Sequence, residues 1–202
     1  MQRVPSTSKV TRSSSTANMT SPNLTLELHE ESYPILGSTL NDLMTGIGLL
    51  GPRLGGRAFG GATWWELSWS VGAIANGARF DVGEVEIKVH ARILLPSWRA
   101  PLRATPEVVR AFERYRAHLR AHERGHVALA LASARRLRAK LVTLPGHSTV
   151  SQVLSHADAL GQRATADCRR AQRAYDLQTA HGGAHELVLS RLVPAYLKGT
   201  EP

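Results

Sequence analysis

Cysteine is nearly absent: Cys168 stands alone in 202 residues. That excludes an intramolecular disulfide and any cysteine-based zinc cluster, so a metal would have to be held by histidine and carboxylate. Long apolar runs are also absent. No stretch of about 18 or more apolar residues occurs, which excludes a membrane-spanning helix. Acidic residues are in deficit, 16 against 25 Lys plus Arg, for a formal net charge of +9. Such a balance suits anionic partners such as nucleic acid. The excess forms no compact basic run, however, and arginine that merely solvates helices accounts for it better.

The first 22 residues, MQRVPSTSKVTRSSSTANMTSP, are basic and rich in Ser and Thr. They lack the apolar centre of a secretory signal, so a disordered tail and a cytoplasmic location by default are expected. Residues 23–202 are long enough for one domain with a core, and two would be a squeeze.

Period-two alternation marks three strands. LTLELH sets Leu24, Leu26 and Leu28 against Thr25, Glu27 and His29; TWWELSWSV and EVEIKVHARI alternate in the same way. One wet and one apolar face predict an antiparallel sheet packed on helices. Asn76-Gly77 signals a turn, although the segment between the last two strands is too long for a two-residue hairpin. Ser38 or Thr39 can cap a short helix ended by Gly51-Pro52. The glycine-rich GPRLGGRAFGGA has no phosphate-binding pattern. A long helix is expected from Thr105-Pro106 to about Val142, and a second, antiparallel one from Ser148 or Thr149. The second would turn Val150, Val153, Ala157, Leu160, Ala164, Cys168, Ala171 and Tyr175 inward. A glycine turn and a short last helix would close the chain.

The chemistry concentrates in AHERGHVALA. The inward stripe of the first long helix reads Val108, Phe112, Tyr115, Leu119, His122, His126, Leu129. Two imidazoles thus lie on an apolar seam, where burial without partners costs several kcal/mol. Four residues make about 1.1 turns, which lets both rings aim a nitrogen at one ion. Glu123 lies about 100° round the helix, within reach of a water on that ion. This is the H-E-x-x-H arrangement of zinc hydrolases, with two ligands and a carboxylate that takes a proton from water.

Two histidines hold zinc weakly, so a third ligand is needed. His181, His185, His156, His118, Asp176 and Glu186 are candidates, but His118 sits about 12 Å along the axis from His126, too far to share one ion. Straight helices meeting near Pro145 would carry His181 about 20 Å beyond His122. The second helix is therefore expected to end or bend early, at Gly161 or from Asp176 onward.

From Tyr33 to His181 the chain resembles the bacterial family termed domain of unknown function 922, described as predicted secreted zinc-dependent proteases. The resemblance rests on Tyr33-Pro-Ile-Leu-Gly37-Ser-Thr39, Asp42-Leu43, Gly51-Pro52, the Thr63-Trp64-Trp65 to Trp69 strand and Leu95-Pro96-Ser97-Trp98. More specific are His122-Glu123-Arg-Gly125-His126 and Tyr175-Asp176 through Thr179 to His181-Gly182. It implies an α+β, zincin-like fold, a twisted antiparallel sheet against an active-site helix. It also implies zinc ligands at His122, His126 and His181, with Glu123 as general base. Relatives often pair a strand cysteine with one on the second helix, whereas Ala78 stands in this strand. That departure and the missing signal segment weigh against secretion.

A zinc peptidase acting on peptide or protein substrates is the expectation. Its rivals are a basic helical module for an anionic partner, and a zinc-stabilised scaffold without turnover.

Overall fold

The computed structural model describes residues 15–21 and 23–180. Within them the chain is α+β. Six strands, β1 (Ser15–Ser21), β2 (Leu24–Ile35), β3 (Arg53–Leu54), β4 (Arg57–Ala58), β5 (Ala62–Asn76) and β6 (Arg79–Trp98), accompany three helices, α1 (Leu40–Leu50), α2 (Pro106–Val142) and α3 (Val150–Gln178). Four strands form one sheet in the order β1-β2-β6-β5, while β3 and β4 make a small separate ribbon in the glycine-rich loop.

The alternation read from sequence fixes the sheet's two faces. Leu24, Leu26 and Leu28 of β2 and Val85, Ile87, Val89, Ala91 and Ile93 of β6 are buried together. This face packs against α2 and α3 in one continuous core that includes Phe112, Tyr115, Leu119, Val127 and Leu137. At roughly 1.5–3 kcal/mol for each fully buried large aliphatic side chain, that face is the main force holding the helices in place.

The sheet corrects the expectation of a purely antiparallel arrangement. β5 and β6 pair antiparallel, but β2 and β6 run parallel from Leu24↔Ile87 to Ile35↔Trp98. The reason is topological. β5 lies outside β6, so the chain turns back at the hairpin and β6 returns in the direction of β2, with α1 and the ribbon in the crossover.

The β5–β6 hairpin is tighter than the apolar alternation suggests. Pairing continues past a bulge at Val71/Ala73 to Asn76↔Arg79, which leaves Gly77 and Ala78 as a two-residue turn. Gly77 takes φ +60°, where a side chain would be strained. At the other end of the chain, Ser15–Ser21, expected within a disordered tail, pairs antiparallel with β2. Period two is weak in STANMTS, so no apolar face announced this strand.

The helices start where their caps predict. Thr39 and Asp42 form a capping box on α1, Thr105 caps α2 with proline following, and Thr149 caps α3. α3 passes through Gly161 without a break. The glycine there admits a ring instead, since an added Cβ would lie 2.1 Å from Cε2 of Trp69. α3 ends at Gln178, close to Asp176, where an early end was expected; His181 lies outside the described residues. His147 reaches the sheet and exchanges two 2.8 Å backbone hydrogen bonds with Phe80 near the hairpin turn. Gln172 and Asp176, in the last turns of α3, come level with His122 and His126. The glycine turn and last helix expected after Thr179 lie outside the described residues.

Candidate metal centre

His122, Glu123 and His126 are all buried in the middle of α2. The two imidazoles converge, with their Nε2 atoms 3.2 Å apart. Asp176, from the last turn of α3, brings Oδ1 to 3.0 Å from His126 Nε2 and 3.5 Å from His122 Nε2. The three donor atoms therefore outline a triangle. Around a tetrahedral ion with bonds of about 2.0–2.1 Å, neighbouring ligand atoms stand about 3.3 Å apart. All three edges fall close to that value, so the donor set fits zinc.

The proton inventory points the same way. Gln172 donates its amide N–H to the His126 carbonyl oxygen at 2.9 Å, which turns its amide oxygen towards His126 Nδ1. A carbonyl only accepts, so Nδ1 carries a proton, and in the neutral tautomer Nε2 is the nitrogen left free to ligate. Thr179 repeats the device on the other ring. Its hydroxyl donates to the Tyr175 carbonyl oxygen at 2.7 Å and leaves a lone pair for His122 Nδ1, 3.3 Å away. Two imidazole nitrogens and a carboxylate oxygen thus face one point, an arrangement that a shared cation would stabilise.

Tyr175 wedges the assembly. Its ring stacks on His122 at 5.0 Å between centroids and meets His126 edge-on at 5.0 Å. Its hydroxyl lies over Gly125, where a Cβ would be 2.2 Å from Oη, and donates to the His122 carbonyl oxygen at 3.4 Å. The glycine of HERGH is thereby explained by packing. Burial, followed by the charges of Glu123 and Asp176, raises the phenol's pKa. It stays a neutral spacer.

Glu123 lies on the strand side of the same cleft, a space of about 320 Å³ that also includes His122, His126, Gln172 and Asp176. The Thr63 hydroxyl donates to its Oε2 at 2.7 Å. Burial dominates and raises the pKa of the carboxyl; Thr63 and His126 oppose this, and the charge of Asp176 adds to it. Gly60, Gly61, Ala62 and Thr63 bring β5 to the cleft wall.

Among the sequence candidates for a third ligand, the structure brings Asp176 to the pair. His118 faces outward, with Nδ1 2.8 Å from the Arg114 carbonyl oxygen. His156 sits at the far end of α3 beside His147. His181, His185 and Glu186 lie outside the described residues. Sequence reasoning missed Gln172: at the end of α3 the buried position is Gln172, while Ala171 is only half-buried. The signal available was its spacing, four residues before Asp176.

A family model described as bacterial protein of unknown function (DUF922) matches residues 30–182. The chain belongs to that family. No curated protein and no solved structure matches it. The matched span begins at Glu30, which ties β2 to α2 on either side of His122. Its carboxylate accepts from Arg120 and, at 2.8 and 2.9 Å, from Arg124. This DUF922 span also takes in both metal-facing histidines, Glu123, Asp176 and His181.

Proposed function

We propose that this DUF922 chain is a zinc-dependent peptidase in which His122, His126 and a third donor hold the ion and Glu123 is the general base. The observation that carries this reading is the triangle of two Nε2 atoms and a carboxylate oxygen, with a buried second carboxylate in the same cleft. When bound, zinc would act as a Lewis acid on a carbonyl and make water acidic enough to lose a proton near neutral pH.

The chain's own residues supply the rest. Gln172 and Thr179 hold each imidazole in the tautomer that leaves its inward nitrogen free. Thr63 orients one Glu123 oxygen. Burial raises the proton affinity of Glu123, which brings the carboxyl closer to the neutral range where a general base works best. It can therefore accept a proton and hand it to a departing amine.

Two residues compete for the third position. Geometry favours Asp176; the resemblance favours His181, two residues beyond Thr179, whose hydroxyl already touches His122. A hydrolase keeps three protein ligands, so one ligates and the other is a hydrogen-bonding neighbour.

A peptide suits the cleft because, among the described residues, β5 is the last strand of the sheet. An edge strand offers unpaired N–H and C=O groups to an extended chain. The arginines that motivate an anionic partner are in part engaged already: Arg120 and Arg124 by Glu30, Arg110 by Glu107 and Arg116 by the Pro96 carbonyl oxygen.

The test combines metal analysis with a peptide-hydrolysis assay on the full-length protein. Stoichiometric zinc in the wild type, its loss in His122→Ala, and zinc without hydrolysis in Glu123→Gln are the expected results. An unaltered turnover in Glu123→Gln removes the proposed base. Zinc that melts the fold on chelation, with no peptide cut by any form, leaves the scaffold reading.

A further inference from the structure

The cleft continues beyond the metal-facing residues. Thr63 and Trp65 are shared with a second depression of about 620 Å³ between β5 and α3. One wall is β5, the edge strand of the sheet among the described residues. The other is formed by Gln162, Thr165, Ala166 and Arg169, at steps of three, one and three residues and so on one helix face.

Arg169 is exposed and, among the described residues, makes no ion pair; the neighbouring Arg170 is the one that pairs with Asp167. Asp176 lies seven residues further on, two helical turns, so the two side chains share a face about 10.5 Å apart along the axis. An extended peptide rises about 3.3–3.4 Å per residue. Arg169 therefore stands about three residues from whatever bond is presented to the metal-facing residues.

The sheet supplies polarity and parity. β5 leaves the cleft at Ala62 and runs towards Trp69, which packs on Gly161. A chain added antiparallel, the more stable pairing, runs the opposite way and reaches Arg169 before it reaches the cleft. Successive side chains of such a strand alternate between faces. Those on the helix side meet Trp65, Trp69 and Arg169. Those on the open side meet Trp64 and the carboxylate of Glu66, both exposed. An acidic side chain on the helix side thus meets Arg169, whereas one residue away it turns to the open side, beside Glu66 and the Arg92 that stacks on Trp64.

Resting on the peptidase reading, we propose that the groove between β5 and α3 selects an extended peptide with an acidic residue about three positions before the cleaved bond, recognised by Arg169. A formal net charge of +9 would speed the approach of such a segment.

The test is fluorescence-polarisation binding of labelled ten-residue peptides to the full-length, zinc-loaded Glu123→Gln protein. An aspartate is walked through an otherwise neutral peptide, with lysine substituted at the same positions in a second series. One aspartate position is expected to bind at least tenfold tighter than lysine there, and a shift of one residue to abolish the gain. Arg169→Glu should invert the preference, while Arg110→Glu, on α2, leaves it intact. Binding indifferent to charge, an unchanged preference in Arg169→Glu, or no binding by any peptide overturns the proposal. The two readings fail separately. Tight, position-selective binding of peptides that the wild type never cuts would sink the peptidase alone, and hydrolysis without positional preference would sink the groove alone.

Discussion

Gln172 grips His126 at both ends, its amide nitrogen on the backbone carbonyl oxygen at 2.9 Å and its amide oxygen on ring Nδ1. Because both contacts come from one rigid amide on α3, the ring of His126 cannot rotate without breaking a hydrogen bond between the two helices. Metal affinity is thereby coupled to the packing of the two helices.

Gln172→Ala should therefore weaken zinc by about 10–100-fold although Gln172 itself ligates nothing, the usual cost of losing a ligand's hydrogen-bonding partner. Gln172→Glu, which keeps an acceptor for Nδ1, should recover much of that affinity. Competition against a chromophoric chelator measures both. Equal affinities in wild type and Gln172→Ala would mean that packing alone orients the ring.

The third ligand is decided by two substitutions. Asp176→Asn keeps the shape of the side chain but removes its charge. It should strip zinc if Asp176 Oδ1 completes the triangle that it forms with the two Nε2 atoms at 3.0 and 3.5 Å. His181→Ala should then retain metal. The reverse result would assign the position to His181 and make Asp176 a neighbour that accepts a hydrogen bond.

The sequence announced this centre unevenly, for physical reasons. His122 and His126 were legible because helical period places them on a seam that Phe112, Tyr115 and Leu119 already define as buried. The caps of α1, α2 and α3 were legible because capping is local chemistry. The parallel pairing of β2 with β6 was not, since register between strands more than fifty residues apart leaves no local pattern. Nor was the bridge between His147 and Phe80, which joins the α2–α3 connection to the sheet across the molecule. Gln172 stayed hidden because a buried polar residue breaks the apolar stripe that the eye follows.

Gly125 offers a test of the wedge formed by Tyr175. A Cβ there would come within 2.2 Å of Oη and 2.5 Å of Cζ, so Gly125→Ala should destabilise the fold by about 1–3 kcal/mol through overpacking. Removal of the ring in Gly125→Ala/Tyr175→Ala should cost less than the sum of the two single changes, because the clash no longer exists. Chemical denaturation of the four proteins gives the coupling. Strict additivity would show that the ring does not press on this glycine.

Glu30 makes the stability of the fold pH-dependent in a definite direction. Partial burial pushes its carboxyl up, but the hydrogen bonds and charges of Arg120 and Arg124 prevail and hold it below the ordinary 4.5. A lowered folded-state pKa means that the unfolded chain binds the proton more readily, so the stabilisation is complete above about pH 5 and is lost as pH falls through the folded value. Both arginines are substantially exposed, which limits the effect to about 1 kcal/mol. Glu30→Gln should therefore lower the unfolding free energy by about that amount at pH 7, and the gap from wild type should close towards pH 3. Urea titrations at intervals across that range measure it. A gap that stays constant with pH would place the contribution of Glu30 in its packing rather than in its charge.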